Sequence, residues 1–247
     1  MQTNRSNAVV AGVLFIIATV ADVISRAAVV QPILGAPDYL TRISANDDQV
    51  LLGALLLVIG AVAAAGIAIA LYPVLRKQDE ALALGSVGFR LIEGAFYLGI
   101  VVCLLVLVTV SRESASAGVE ASALQTPAAI VMAARDSLGL VAVLAFGLGA
   151  LMYYSVFYRS RLVPRWLSAW GLVAIASVMV SGFLVMFGLV EPMSTPQIVL
   201  AFPIAVQEMV LAVWLIVKGF NPRAVVSAPA IATAPASATS LAGAQTL

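Results

Sequence analysis

Histidine is absent from this chain, cysteine occurs once, at Cys103, and only 10% of the residues are charged. Without imidazole there is no histidine base, no histidine-ligated haem and no mixed zinc site. A single thiol forms neither an internal disulfide nor a thiolate cage. Any chemistry therefore falls to carboxylates, guanidinium groups, hydroxyls and amides, and no cofactor or metal is expected. The net charge of +1 leaves no basic face for a nucleic acid, so no such partner is expected either.

What the chain has in excess is apolar side chain, at 62% of 247 residues. A soluble domain carries about a quarter charged residues and has no way to hide so much apolar surface. Hydrocarbon accepts it, provided the backbone satisfies its own polar groups, so a lipid bilayer is the expected surroundings. Apolar runs at 8–24, 50–75, 81–110, 128–158, 166–190 and 198–217 approach or exceed the roughly 20 helical residues that cross a bilayer. Alternation with a period of two is missing, which argues against a membrane β-barrel. The expected fold is all-α, a polytopic bundle of about six transmembrane helices within residues 1–223.

Arg5, a short apolar stretch and Ser25-Arg26-Ala27 also outline a secretory signal. Asp22 interrupts that stretch, and its near-spanning length favours a retained first helix. Basic residues of short loops stay in the cytoplasm. Arg5, Arg76, Lys77, Arg159, Arg161, Arg165, Lys218 and Arg223 fall on one side of the expected bundle, against Arg26, Arg42 and Arg112 on the other. Both termini are thus expected to be cytoplasmic. The external loop of residues 26–49 predicts a short interfacial helix over 37–43, starting with Pro37, with Asp47 and Asp48 as helix caps. Residues 224–247 are Ala, Ser, Thr and Pro-rich and read as a disordered tail.

Gly60, Ala61, Ala64, Ala65 and Ala68 give the second span the spacing that lets helices approach closely. Internal packing explains it, and a homo-oligomer face would use the same pattern. The first and last three spans show no convincing repeat.

Charges inside spans are the residues most able to carry specific chemistry, since each costs about 2.5–3.5 kcal/mol at the bilayer centre. Glu208, beside Gln207, lies mid-way along a run only one span long, so no shift of register brings it to water. Arg90 and Glu93 share a helical face at a matching depth, which predicts an Arg90–Glu208 contact with Glu93 completing the cluster. Arg135 and Asp136 lie nearer the external headgroups unless the helix begins at the Thr126-Pro127 cap. Asp22, near the external end of its helix, is then a candidate partner for Arg135. At the cytoplasmic interface, Arg159, Arg161, Arg165 and Trp166 suit lipid-headgroup anchoring, with anionic lipid recognition as the sharper alternative.

Three readings of the buried charges stay open. They line a path or cavity for a small solute or proton; they only fix helix contacts in a scaffold or regulator; or they serve an intramembrane enzyme. The enzyme has carboxylates for acid and base work but no serine matched with a base and no paired-aspartate metal motif.

Several motifs together carry a family likeness: residues 70–75 (ALYPVL), 88–94 (GFRLIEG), Ala134-Arg135-Asp136, 160–168 (SRLVPRWLS), and Gln207-Glu208-Met209 running to Lys218-Gly219-Phe220-Asn221-Pro222. On these the chain resembles the bacterial membrane family called domain of unknown function 4386. The resemblance implies a six-helix protein of a bacterial or archaeal cytoplasmic membrane and carries no activity with it.

Overall fold

Long runs of Ala, Leu, Val and Gly without interior charge form helices that need no partner for their backbone polar groups. The computed structural model describes residues 2–116 and 121–226, and these are almost wholly helical. Helix α1 (Gln2–Val23) runs through a π-helical stretch (Ile24–Val30) into α2 (Gln31–Leu34). There follow α3 (Tyr39–Ala45), α4 (Asp47–Leu75), α5 (Glu80–Ser116), α6 (Ala121–Ser160), α7 (Arg165–Met186), α8 (Thr195–Val217) and α9 (Pro222–Val226). Among the described residues, six helical stretches are long and apolar enough to cross a membrane.

Several boundaries differ from the expected ones, each for a local reason. The first span does not stop at Ile24 but continues to Leu34, because the π-helical stretch takes up the register change without breaking the helix. The interfacial helix starts at Tyr39, two residues beyond Pro37. Asp47 and Asp48 do not stand at the cap of α4; Asn46 does, and its side chain makes no capping bond, donating instead to the Arg42 carbonyl at 2.9 Å. Asp47 is instead engaged by Arg112 of α5, whose Nε and terminal nitrogen lie 2.9 and 2.7 Å from the same carboxylate oxygen. Pro127 lies inside α6 rather than opening it. α7 ends at Met186, followed by turns in which Gly188 and Met193 have positive φ.

Order also continues past Ala224, where Gln78 of the α4–α5 turn donates to the Ala224 carbonyl at 2.8 Å. The remainder of the expected tail, 227–247, lies outside the described residues.

Each long helix packs against its sequence neighbours, and the last closes onto the first: α1 on α4, α4 on α5, α5 on α6, α6 on α7, α7 on α8, and α8 on α1. The result is a closed ring of antiparallel neighbours around a central lumen. Its outer surface is apolar, with Leu55, Val62 and Ile69 exposed at 57%, 67% and 57% along one stripe of α4. Polar groups lie inside, the reverse of a soluble bundle, as a lipid environment requires.

Two apolar cores fill much of the lumen. One lies toward the chain termini and includes Ile67, Leu71, Phe157, Leu162, Leu211 and Phe220. The other lies at the opposite end under α2 and α3 and includes Ile33, Ile43, Val50, Leu104 and Leu107.

Candidate functional site

Between the two cores sits a belt of polar side chains from α1, α5, α6 and α8, to which α4 and α7 add the backbone carbonyls of Ala64 and Leu167. Arg90 and Glu93, three residues apart on α5, project from the same face into the lumen and form a 2.9 Å ion pair, each only 3% exposed. The Arg90 side chain lies against the neighbouring α4, with its Nε 3.4 Å from the Ala64 carbonyl. Its guanidinium also lies 5.0 Å from the centre of the Phe146 ring on α6. The stem crosses α6 at Gly149, where a side chain would press within 3.3 Å of the Arg90 Cγ.

Glu208 of α8 is also buried, but it does not touch Arg90 within ion-pair distance. Its one hydrogen bond is from the Thr19 hydroxyl of α1, at 3.2 Å. The expected direct Arg90–Glu208 contact is therefore replaced by an intrahelical pair and a separate carboxylate. The reason is reach: a partner one turn along α5 lies closer to Arg90 than one across the ring.

Gln207 is fully buried and bridges two helices, accepting a short hydrogen bond from the Tyr154 hydroxyl of α6 and donating to the Leu167 carbonyl of α7 at 3.1 Å. Tyr154 packs on Gly171 of α7, where any added side chain would collide with its ring. Tyr153 packs against Tyr154 with ring centres 4.5 Å apart and planes tilted by 49°.

Toward the end opposite the termini, Asp22 pairs with Arg26 at 2.6 Å, not with Arg135. The continuous helix places these two residues one turn apart, which the sequence hides by marking Arg26 as the start of a loop. Arg26 also lies 5.2 Å from the centre of the Tyr97 ring on α5. Arg135 pairs with its neighbour Asp136 at 2.8 Å, with the arginine 15% and the aspartate 53% exposed. All four charged groups stand at the mouth of the lumen, where Arg26, Arg135 and Asp136 join Ser25, Gln31, Ser181 and Gln197 around a cavity of about 360 Å³. The cavity reaches down to Ala201, seven residues or about 10 Å above Glu208 along α8.

Among the described residues, two fully buried polar atoms of the belt have neither a hydrogen-bond nor an ion-pair partner, Oε1 of Glu208 and the Tyr153 hydroxyl, while the Arg90 terminal nitrogen and Oε2 of Glu93 satisfy each other only through their ion pair. Among the described residues, no group of three or more acidic or cysteine side chains is placed to hold a metal ion. Thr19, Tyr97, Tyr153 and Tyr154 are the belt residues that sequence reasoning missed. The adjacent tyrosines that follow glycines 147 and 149 are the signal that pointed to Tyr153 and Tyr154, while Thr19 and Tyr97 carried none. At the other end, Arg159, Arg161, Arg165 and Trp166 sit at the end of α6 and the start of α7, with Arg165 5.4 Å from the Tyr158 ring and Trp166 55% exposed.

The model of the family described as domain of unknown function (DUF4386) matches residues 10–219. The chain belongs to this family. The region shared with the DUF4386 family contains nearly the whole ring and every polar residue of the belt. No curated protein and no solved structure matches the chain.

Proposed function

We propose that this chain is a multi-pass protein of a bacterial or archaeal cytoplasmic membrane that takes up a proton or small cationic solute against Glu208. The observation that carries the reading is a charge imbalance. Arg90 is paired with Glu93, the Asp22–Arg26 and Arg135–Asp136 pairs balance themselves, and among the described residues Glu208 has no ion-pair partner, its hydrogen bond coming from the Thr19 hydroxyl. An ionised carboxylate in a low-dielectric interior is strongly unfavourable without a counter-charge. A proton or a cation supplies one, and the cavity above it offers a route from one side of the membrane.

The scaffold reading is less well supported, because ion pairs that lock helix contacts join different helices. Here Arg90–Glu93 and Arg135–Asp136 lie within single helices, and Asp22–Arg26 within one continuous helical stretch. None of these three ties the ring together, and the Arg112–Asp47 pair that does join α5 to α4 lies at the exposed end of the bundle rather than in the belt. Among the described residues, no acid or base is hydrogen-bonded to Glu208 to share proton transfer with it as an enzyme would need.

Purified protein in liposomes with an entrapped pH dye and an imposed membrane potential tests the reading. Wild type is expected to pass protons faster than protein-free liposomes, and Glu208→Gln to remain folded and fall to background. Dicyclohexylcarbodiimide should modify Glu208, and a bound cation such as sodium or ammonium should slow that reaction. Background flux in the wild type together with an unreactive Glu208 would overturn the proposal.

A further inference from the structure

At the end of the ring bearing the termini, the α6–α7 turn faces the end of α8 across a groove of about 600 Å³. Arg161, Arg165 and Lys218 line it with Trp214, Phe220 and Asn221, and no acidic residue does. None of the three cations forms an ion pair among the described residues. Their charge is also not consumed by helix capping. The last carbonyls of α8, those of Leu215, Ile216 and Val217, are taken by the Arg5 guanidinium at 3.2, 2.6 and 3.2 Å, which leaves the exposed Lys218 ammonium free of that task.

The groove is held in shape rather than loosely formed. Asn221 donates its backbone N–H to the Leu162 carbonyl at 2.9 Å and its side-chain amide to the Arg161 carbonyl at 3.3 Å, joining the two walls. Arg161 takes φ of 56°, a left-handed conformation that non-glycine residues rarely adopt, and Gly219 opposite takes 72°. The start of α7 adds backbone N–H groups, which favour an anion at the same place.

We propose that this groove binds the phosphate of an anionic phospholipid. Three unpaired cations, two of them guanidinium forks, match a phosphate diester in charge and geometry. The groove continues onto the lipid-facing seam of α7 and α8. There Trp166 meets Trp214 edge to face at 6.5 Å, with Val213 and Val217 exposed below, so an acyl chain has an apolar track to follow. This inference concerns a different end of the molecule and stands whether or not Glu208 conducts.

Native mass spectrometry of detergent-purified protein decides it, with phosphatidylglycerol, phosphatidylethanolamine or soluble glycerol 3-phosphate added at equal concentration. Phosphatidylglycerol is expected to be retained in preference to phosphatidylethanolamine, with affinity falling about fivefold for each of Arg161, Arg165 and Lys218 changed to Gln. The control Arg76→Gln with Lys77→Gln, at the same end but outside the groove, should bind as wild type. Should the triple variant fail to fold, Lys218→Gln alone, at an exposed helix end, is expected to show its fivefold loss. Equal retention of both lipids, a variant that keeps wild-type affinity, or displacement of the lipid by an equal concentration of glycerol 3-phosphate would each overturn the proposal.

Discussion

Arg90 is the one residue whose removal leaves the buried Glu93 carboxylate without a cation. Replacing it by Gln should cost about 3–5 kcal/mol, the usual consequence of orphaning a buried charge. The double variant Arg90→Gln with Glu93→Gln removes both partners and is expected to recover most of that loss, measured by thermal or SDS unfolding in detergent. A double variant no more stable than Arg90→Gln would mean that Glu93 is not the charge Arg90 holds. The chemistry of this belt was partly legible residue by residue. Arg90, Glu93 and Glu208 stand out in the sequence because hydrophobic spans tolerate such side chains at a price in free energy, and their approximate depths follow from helical rise. Their pairing was not legible, because which side chain reaches which depends on rotamer and ring geometry that spacing alone does not supply.

Helix α8 shows how a single element can place a polar group. Pro203 has no N–H to give the carbonyl of Val199, and one residue further on the Leu200 carbonyl accepts the Ser177 hydroxyl of α7 at 2.8 Å. That bond ties α7 to the proline turn little more than one helical turn above Gln207 and Glu208. Ser177→Ala is expected to lower stability by about 0.6 kcal/mol, a typical value for an interhelical hydrogen bond in a membrane. In a Pro203→Ala background, where α8 regains a regular turn, the same substitution should be close to neutral. An equal loss in both backgrounds would show that the bond does not depend on the proline.

The six spans themselves were readable from apolar run length, since few alternatives satisfy the backbone in lipid. The π-helical continuation of α1 was not. Arg26 reads as a loop residue by its charge, and only the continuous backbone shows that it lies one turn from Asp22 on the same helical stretch.

At the scale of the whole molecule, ring closure of α8 on α1 gives the lumen its walls, and the two ends of that lumen differ. One end opens through the cavity that includes Ser181, while the other is plugged by Phe157, Leu162, Leu211 and Phe220. A path sealed at one end and open at the other is what a binding site with one-sided access requires. Under the proposed cytoplasmic placement of the termini, the open end faces outward. This arrangement is testable with thiol chemistry, because Cys103 is the only cysteine to remove. In a Cys103→Ser background, Ser181→Cys places a thiol at the cavity and Ser168→Cys places one in the fully buried start of α7. The membrane-impermeant reagent methanethiosulfonate ethylammonium, added to intact cells, is expected to modify the first and leave the second unmodified. Inverted membrane vesicles should show Ser181→Cys protected and Ser168→Cys still unreactive. The opposite pattern, with Ser168→Cys labelled in vesicles and Ser181→Cys protected in cells, would place the opening at the terminal end and reverse the direction from which Glu208 is reached.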